Sequence, residues 1–136
     1  MKFTAFILLS AALGIGAIGI GYLLSPAWMY DLYGIGIESV NEANMVRGAY
    51  GGLFVASALL FVLGALHARF TRPALIYLLT FMLGFAAGRL SSVVVDGVPS
   101  VLVVLLLGLE LLYIALASFG LYRTSTMAPP DEQRHG

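Results

Sequence analysis

Gly84-Phe85-Ala86-Ala87-Gly88-Arg89-Leu90-Ser91-Ser92 places an arginine inside a run apolar enough to cross a bilayer. An ionisable side chain at membrane depth is costly, so it normally faces protein and has a partner. The acid at comparable depth in another apolar run is Glu110. A second arginine, Arg47, lies near the start of a third run. These positions predict an all-α fold: an integral membrane four-helix bundle closed around Arg89, Glu110 and Arg47.

The totals agree with a membrane chain. Of 136 residues, 60% are hydrophobic and 10% are charged, and mean hydropathy is +0.97. A soluble domain carries about 25% charged residues, so this chain lacks the polar residues to cover a water-facing surface. Its apolar runs reach the roughly 20 residues a spanning helix needs. They are continuous rather than alternating, which argues against a β-barrel. Net charge is zero, so no basic patch points to nucleic acid. Cysteine is absent, which removes disulfides, thiolate chemistry and cysteine-ligated metals. His67 and His135 stand in a loop and in the tail, without metal-ligand spacing. No cofactor is expected. No nucleophile–base pair or phosphate loop stands out, so the chain is not expected to be an enzyme.

The helices are expected over about residues 3–24, 40–66, 73–95 and 100–122. Together they make one transmembrane domain over 1–123, followed by a polar, disordered tail over 124–136. Residues 3–24 read as a retained first helix. A cleaved signal peptide is the competing reading, but the run exceeds the usual 7–15 apolar residues of a signal. The pairs Ala12/Gly16, Ala17/Gly21, Gly48/Gly52 and Gly84/Gly88 have the small-xxx-small spacing that lets helices approach closely. The loop 25–43 contains Trp28, Tyr30 and Tyr33, residue types that favour the headgroup level. A short interfacial helix is expected there, ended by Gly34 and Gly36; a ligand-facing lid is the alternative. Ser39-Val40-Asn41-Glu42 has capping-box spacing, so the second long helix is expected to start near Val40. Pro73 suits the first turn of the third.

Lys2, Arg69, Arg72 and Arg123 flank one side of the bundle, while the other two loops carry Asp31, Glu38, Glu42 and Asp96. Basic residues stay cytoplasmic. Both termini are therefore expected inside, in a multi-pass protein of the bacterial cytoplasmic (inner) membrane.

Depth follows from the 1.5 Å rise per residue. Glu110 lies about 16 Å past Pro99 along its helix, and Arg89 about 10 Å before Asp96. An arginine stem spans the difference of about 6 Å. A charge at mid-helix costs about 2.5–3.5 kcal/mol of insertion, which the surrounding Leu, Val and Ile offset. Asn44, Arg47 and Gly51 share a face at i, i+3, i+7, so Asn44 and Arg47 either turn inward or leave Arg47 as a snorkelling anchor. Ser92 lies one turn beyond Arg89, and Tyr113 one turn beyond Glu110. The candidate polar cluster is thus Asn44, Arg47, Arg89, Ser92, Glu110 and Tyr113. Its role is an ion pair that fixes helix register or a ligand site. Two arginines against one carboxylate leave a surplus of positive charge, suited to an anionic ligand or lipid headgroup.

The ordered set Asn44-x-x-Arg47-Gly48, Gly88-Arg89-x-x-Ser92, Gly97-x-Pro99 and Glu110 resembles the bacterial membrane family called domain of unknown function 4345. The resemblance covers nearly all of residues 3–122. It implies a small four-helix membrane protein in which Asn44, Arg47, Arg89 and Glu110 are a hallmark, and it supplies no substrate. Two functions are expected to compete. One is a non-enzymatic accessory protein whose partners are the lipid bilayer and other helices, including a second copy of the chain. The other is a small transporter or binder of a lipid or anionic solute, acting through Arg47, Arg89 and Glu110.

Overall fold

The computed structural model describes residues 2–126. Among them every regular element is helical, in the order α1 (Lys2–Leu24), α2 (Pro26–Asp31), α3 (Val40–Leu66), α4 (Ala68–Asp96) and α5 (Val101–Thr126). All but α2 are long and apolar enough to cross a membrane. By length and composition this is a multi-pass membrane protein. Leu13, Leu24 and Val101 are largely exposed, each by three quarters or more. On a water-facing surface that apolar area would be a liability, whereas hydrocarbon is its natural solvent.

Consecutive long helices run antiparallel. α1 packs chiefly on α3, α3 on α4, and α4 on α5; α5 returns to α1 only lightly. The core is built where α1, α3 and α4 meet: Ile7, Leu8, Ala11, Phe61, Leu75 and Leu78 have almost no exposed surface. A polar strut crosses this core. The Ser57 hydroxyl donates to the Leu53 carbonyl at 2.7 Å, which leaves the Tyr77 hydroxyl to donate to Ser57 Oγ at 2.9 Å.

Local signals set most boundaries. Ser39 Oγ accepts from the Glu42 amide at 3.1 Å, and Glu42 Oε2 accepts from the Ser39 amide at 3.2 Å. This capping box satisfies two otherwise orphaned donors, and α3 starts at Val40. Gly97, at φ 97°, stops α4, a conformation that favours glycine. Gly34, at φ 71°, closes the turn after α2 in the same way.

Two boundaries and one stretch inside a helix differ from expectation. α4 begins at Ala68, so Pro73 sits one turn inside the helix rather than in its first turn. Thr71 explains the earlier start: its hydroxyl donates to the Gly64 carbonyl at 2.7 Å, tying the two sides of the turn together. α5 continues to Thr126, three residues into the segment expected to be a disordered tail. Its last turn is held by Thr124, Ser125 and Thr126 hydroxyls donating to carbonyls one turn earlier; the remainder of that tail lies outside the described residues. Finally, α3 is not α-helical throughout. Arg47–Gly52 forms a π-helical turn, a feature that often marks functional segments.

Lys2, Arg69, Arg72 and Arg123 share one end of the bundle. There the Arg123 guanidinium lies 5.8 Å from the Phe3 ring, and the Arg69 guanidinium lies over Phe70 at 4.6 Å. The opposite end carries α2 and the acidic loops.

Candidate functional site

The two deepest charges meet. Arg89 Nε donates to Glu110 Oε1 at 2.7 Å, bridging α4 and α5. Glu110 is buried, at 7% exposure. The Arg89 side chain keeps 25% of its surface, because it lines an open cleft. Its two terminal nitrogens make no hydrogen bond among the described residues. Glu110 Oε2 is fully buried and has no hydrogen-bond partner there either.

Arg47 does not join them. Its Nε donates to the Leu23 carbonyl at 3.1 Å, at the C-terminal end of α1. The last carbonyls of a helix lack intrahelical donors and carry partial negative charge, so a guanidinium is well placed there. Asn44 is also outside the cluster. The reason is the π-turn. A face drawn at i, i+3, i+7 assumes 3.6 residues per turn, and the wider turn between Arg47 and Gly52 breaks that register. With Arg47 engaged elsewhere, the buried pair is balanced and the expected positive surplus at the site does not exist.

The remaining predicted residues divide. Ser92 lines the same cleft as Arg89, with its hydroxyl donating to Asp96 Oδ2 at 2.8 Å. Tyr113 stands beside Glu110 on α5, but its hydroxyl donates across the bundle to Ser10 Oγ at 3.1 Å. Ser10 in turn donates to the Ile7 carbonyl at 2.9 Å. Tyr113 therefore fastens α5 to α1 just below the ion pair.

The cleft itself has no counterpart in the sequence pattern. It opens toward the α2 end, has a volume of about 570 Å³, and is lined by every helix. Tyr22, Tyr30, Tyr33 and Tyr50 form its upper wall. The rings continue downward without a break: Tyr50 to Phe54 at 5.8 Å between centroids, Phe54 to Phe85 at 5.7 Å. Aromatic pairs at such spacings are favourable beyond their burial alone. Burial and the neighbouring Tyr50 push the Tyr30 phenol above its ordinary pKa, so it stays protonated and available as a hydroxyl. A smaller chamber of about 120 Å³ lies deeper, lined by Gly14, Glu110 and Tyr113. The two spaces share Ile18, Phe54, Phe85 and Leu106 as walls.

Glycines make this space. A β-carbon at Gly14, Gly84 or Gly88 would meet nothing within 4 Å. The Gly84/Gly88 pair therefore does not serve helix packing, as its spacing suggested; it keeps the α4 wall of the cleft open. Gly16 and Gly21 do pack: a β-carbon at Gly16 would lie 3.2 Å from Ala58 Cβ, and one at Gly21 would lie 2.7 Å from Met29 Sδ. At Gly51, in the π-turn, a β-carbon would lie only 2.7 Å from Leu23 Cδ2, so Leu23 packs directly over the bare backbone there. That close approach anchors the segment from which Tyr50 reaches the cleft.

A family model described as a domain of unknown function (DUF4345) matches residues 3–121. The chain belongs to the DUF4345 family. The match spans all four long helices, so the Arg89–Glu110 pair and both walls of the cleft lie inside the DUF4345 region. No curated protein and no solved structure matches the chain. Membership names a family and no activity, so the chemistry must be argued from the site.

Among the described residues no group of His, Asp and Glu could hold a metal ion. The site instead offers a guanidinium with free donors, a buried carboxylate oxygen, phenols, and a deep apolar lining.

Proposed function

We propose that this DUF4345 protein is a non-enzymatic, multi-pass protein of the bacterial cytoplasmic membrane that binds a membrane amphiphile in the cleft beside Arg89. One observation carries the reading: an aromatic and apolar cleft of about 570 Å³ with the Arg89 guanidinium in its wall. Ligand sites are typically about 300–1,000 Å³, mostly apolar, with a few convergent polar groups. The Arg89–Glu110 bond also fastens α4 to α5. An ion pair serving register alone needs no open space, and small residues on its helix would be covered by neighbours. Gly84 and Gly88 are uncovered.

In this proposal both termini are cytoplasmic and the cleft opens toward the outer leaflet. Support comes from Lys2, Arg69, Arg72 and Arg123 at one end against Asp31, Glu38, Glu42 and Asp96 at the other. The six-residue α2, with Trp28 60% exposed, then lies at the outer headgroup level. The natural absence of cysteine makes the orientation easy to test. A cysteine replacing Ser39 reacts with an impermeant maleimide added to intact cells, and one replacing Thr124 reacts only after lysis. The reverse pattern would overturn the orientation.

Binding is tested on the full chain in lipid nanodiscs with three radiolabelled probes: hexadecanol, hexadecyl methyl ether and hexadecanoate. At least one binds saturably, at one molecule per chain. Gly88→Leu, which fills the cleft from the α4 wall, weakens that binding at least about tenfold, the loss of one good contact's worth of affinity. Equal uptake of every probe by the wild-type chain, the Gly88→Leu variant and empty nanodiscs would refute the reading.

A further inference from the structure

Resting on the binding reading above, we propose that the ligand is an uncharged amphiphile whose headgroup carries a hydroxyl, donated to Glu110 Oε2 in the deeper chamber. A long-chain alcohol or a monoacylglycerol has this chemistry. Glu110 Oε2 is the starting point. Among the described residues it is the one buried side-chain oxygen or nitrogen without a partner. Buried carboxylate oxygens normally accept hydrogen bonds, and an ionised carboxylate can accept several. Glu110 Oε1 already accepts from Arg89 Nε. What Oε2 lacks is a donor.

The surroundings state which donor fits. The chamber beside Glu110 holds about 120 Å³, the liquid-volume share of roughly four waters. Gly14 opens one wall, and the side chains of Phe85 and Leu106 are all that stands between it and the larger cleft on the α4 and α5 sides. A headgroup with one small donor can enter while its tail occupies the aromatic cleft. Arg89 contributes its free terminal N–H groups on the cleft side, which suit an acceptor on the same headgroup. A hydroxyl is donor and acceptor at once and meets both.

Charge selects against the alternatives. Arg89 and Glu110 cancel, and Arg47 is held by the Leu23 carbonyl instead of the site. An anionic headgroup would bring an uncompensated charge to a site whose own two charges already cancel, and it would offer Glu110 Oε2 no donor. An ether offers an acceptor and no donor, so it leaves Oε2 as it was. This reverses the anionic preference that a two-arginine site would have had.

The same three probes decide the matter on the unmodified protein. Wild type binds hexadecanol at least about tenfold more tightly than either hexadecyl methyl ether or hexadecanoate, the size expected for a hydrogen bond to a charged group. In Glu110→Gln, with the amide oxygen kept on Arg89, an N–H donor replaces the Oε2 acceptor. The alcohol-to-ether ratio then falls toward one. Equal affinities for alcohol and ether in wild type would overturn the inference while leaving the binding reading intact, and so would a preference for hexadecanoate. Failure of all three probes to bind would defeat the binding reading and this inference with it.

Discussion

Replacing Arg89 with glutamine lowers the stability of the folded chain by about 3 kcal/mol or more, the scale for breaking a buried ion pair from one side. The loss exceeds that from Glu110→Gln, and the asymmetry follows from geometry. Without Arg89, a carboxylate only 7% exposed is stranded with neither oxygen bonded. Without Glu110, the guanidinium still borders an open cleft, where water or headgroups can reach it. Long basic side chains relieve such exposure by snorkelling. The double variant is milder than the sum of the two, with a coupling of at least about 0.5 kcal/mol. Unfolding titrations in mixed micelles measure all four proteins. Strict additivity, or a larger loss for Glu110→Gln, would show that the bond does not hold α4 to α5 in this way.

The glycines make the second large prediction, because two kinds that look alike in the sequence have opposite fates. At Gly64 a β-carbon would collide with Ala74 Cβ and lie 3.1 Å from both Leu8 Cδ1 and the Phe70 carbonyl oxygen. At Gly19 it would lie 2.9 Å from Phe54 Cβ and from the Val55 backbone nitrogen. Backbone cannot step aside cheaply, so Gly64→Ala and Gly19→Ala each cost about 1–3 kcal/mol through overpacking. Gly84→Ala and Gly88→Ala meet open space. They are neutral or stabilising by about 0.5–1 kcal/mol, since alanine loses less backbone freedom in a helix. Thermal unfolding of the four variants in one detergent ranks them. A loss at Gly88 matching the loss at Gly64 would mean that the α4 wall is packed and that no cleft exists there.

This contrast shows why the fold was more legible than the site. Apolar runs, the Ser39/Glu42 capping box and the glycine stops at 34 and 97 act locally, so their consequences can be read from adjacent residues. Arg89 and Glu110 were also within reach, because depth along two helices is arithmetic. Arg47 and Asn44 were not. Their placement depends on the π-turn over Arg47–Gly52, and a pattern drawn at 3.6 residues per turn cannot register it. The Gly84/Gly88 spacing was silent for another reason: small-xxx-small permits close approach without requiring it, and only the neighbouring helix decides. The tyrosine wall had a faint signal in Tyr22, Tyr30, Tyr33 and Tyr50, all near one end of the bundle. Read singly they resemble interface anchors, and their convergence is a property of tertiary packing.

In the proposed reading, the balanced ion pair, the uncovered glycines and the aromatic wall form a receptacle rather than a strut. Arg89 is half of the bolt between α4 and α5 and, with its remaining donors, part of the lining. Such double duty explains why a partly open cleft borders the costliest charge in the chain: the guanidinium needs polar company on the side that Glu110 does not cover.

The most direct measurement is photo-cross-linking with a hexadecyl amphiphile bearing a diazirine on the carbon next to its hydroxyl. The wild-type chain in nanodiscs is irradiated, digested and mapped by mass spectrometry. Labelling is expected at the cleft and chamber walls, on Phe85, Gly88 and Arg89 of α4 and on Leu106 of α5, and excess unlabelled hexadecanol suppresses it. Labelling that instead follows the outward-facing residues Leu105, Leu112 and Phe119, and that resists competition, would contradict a binding cleft beside Arg89.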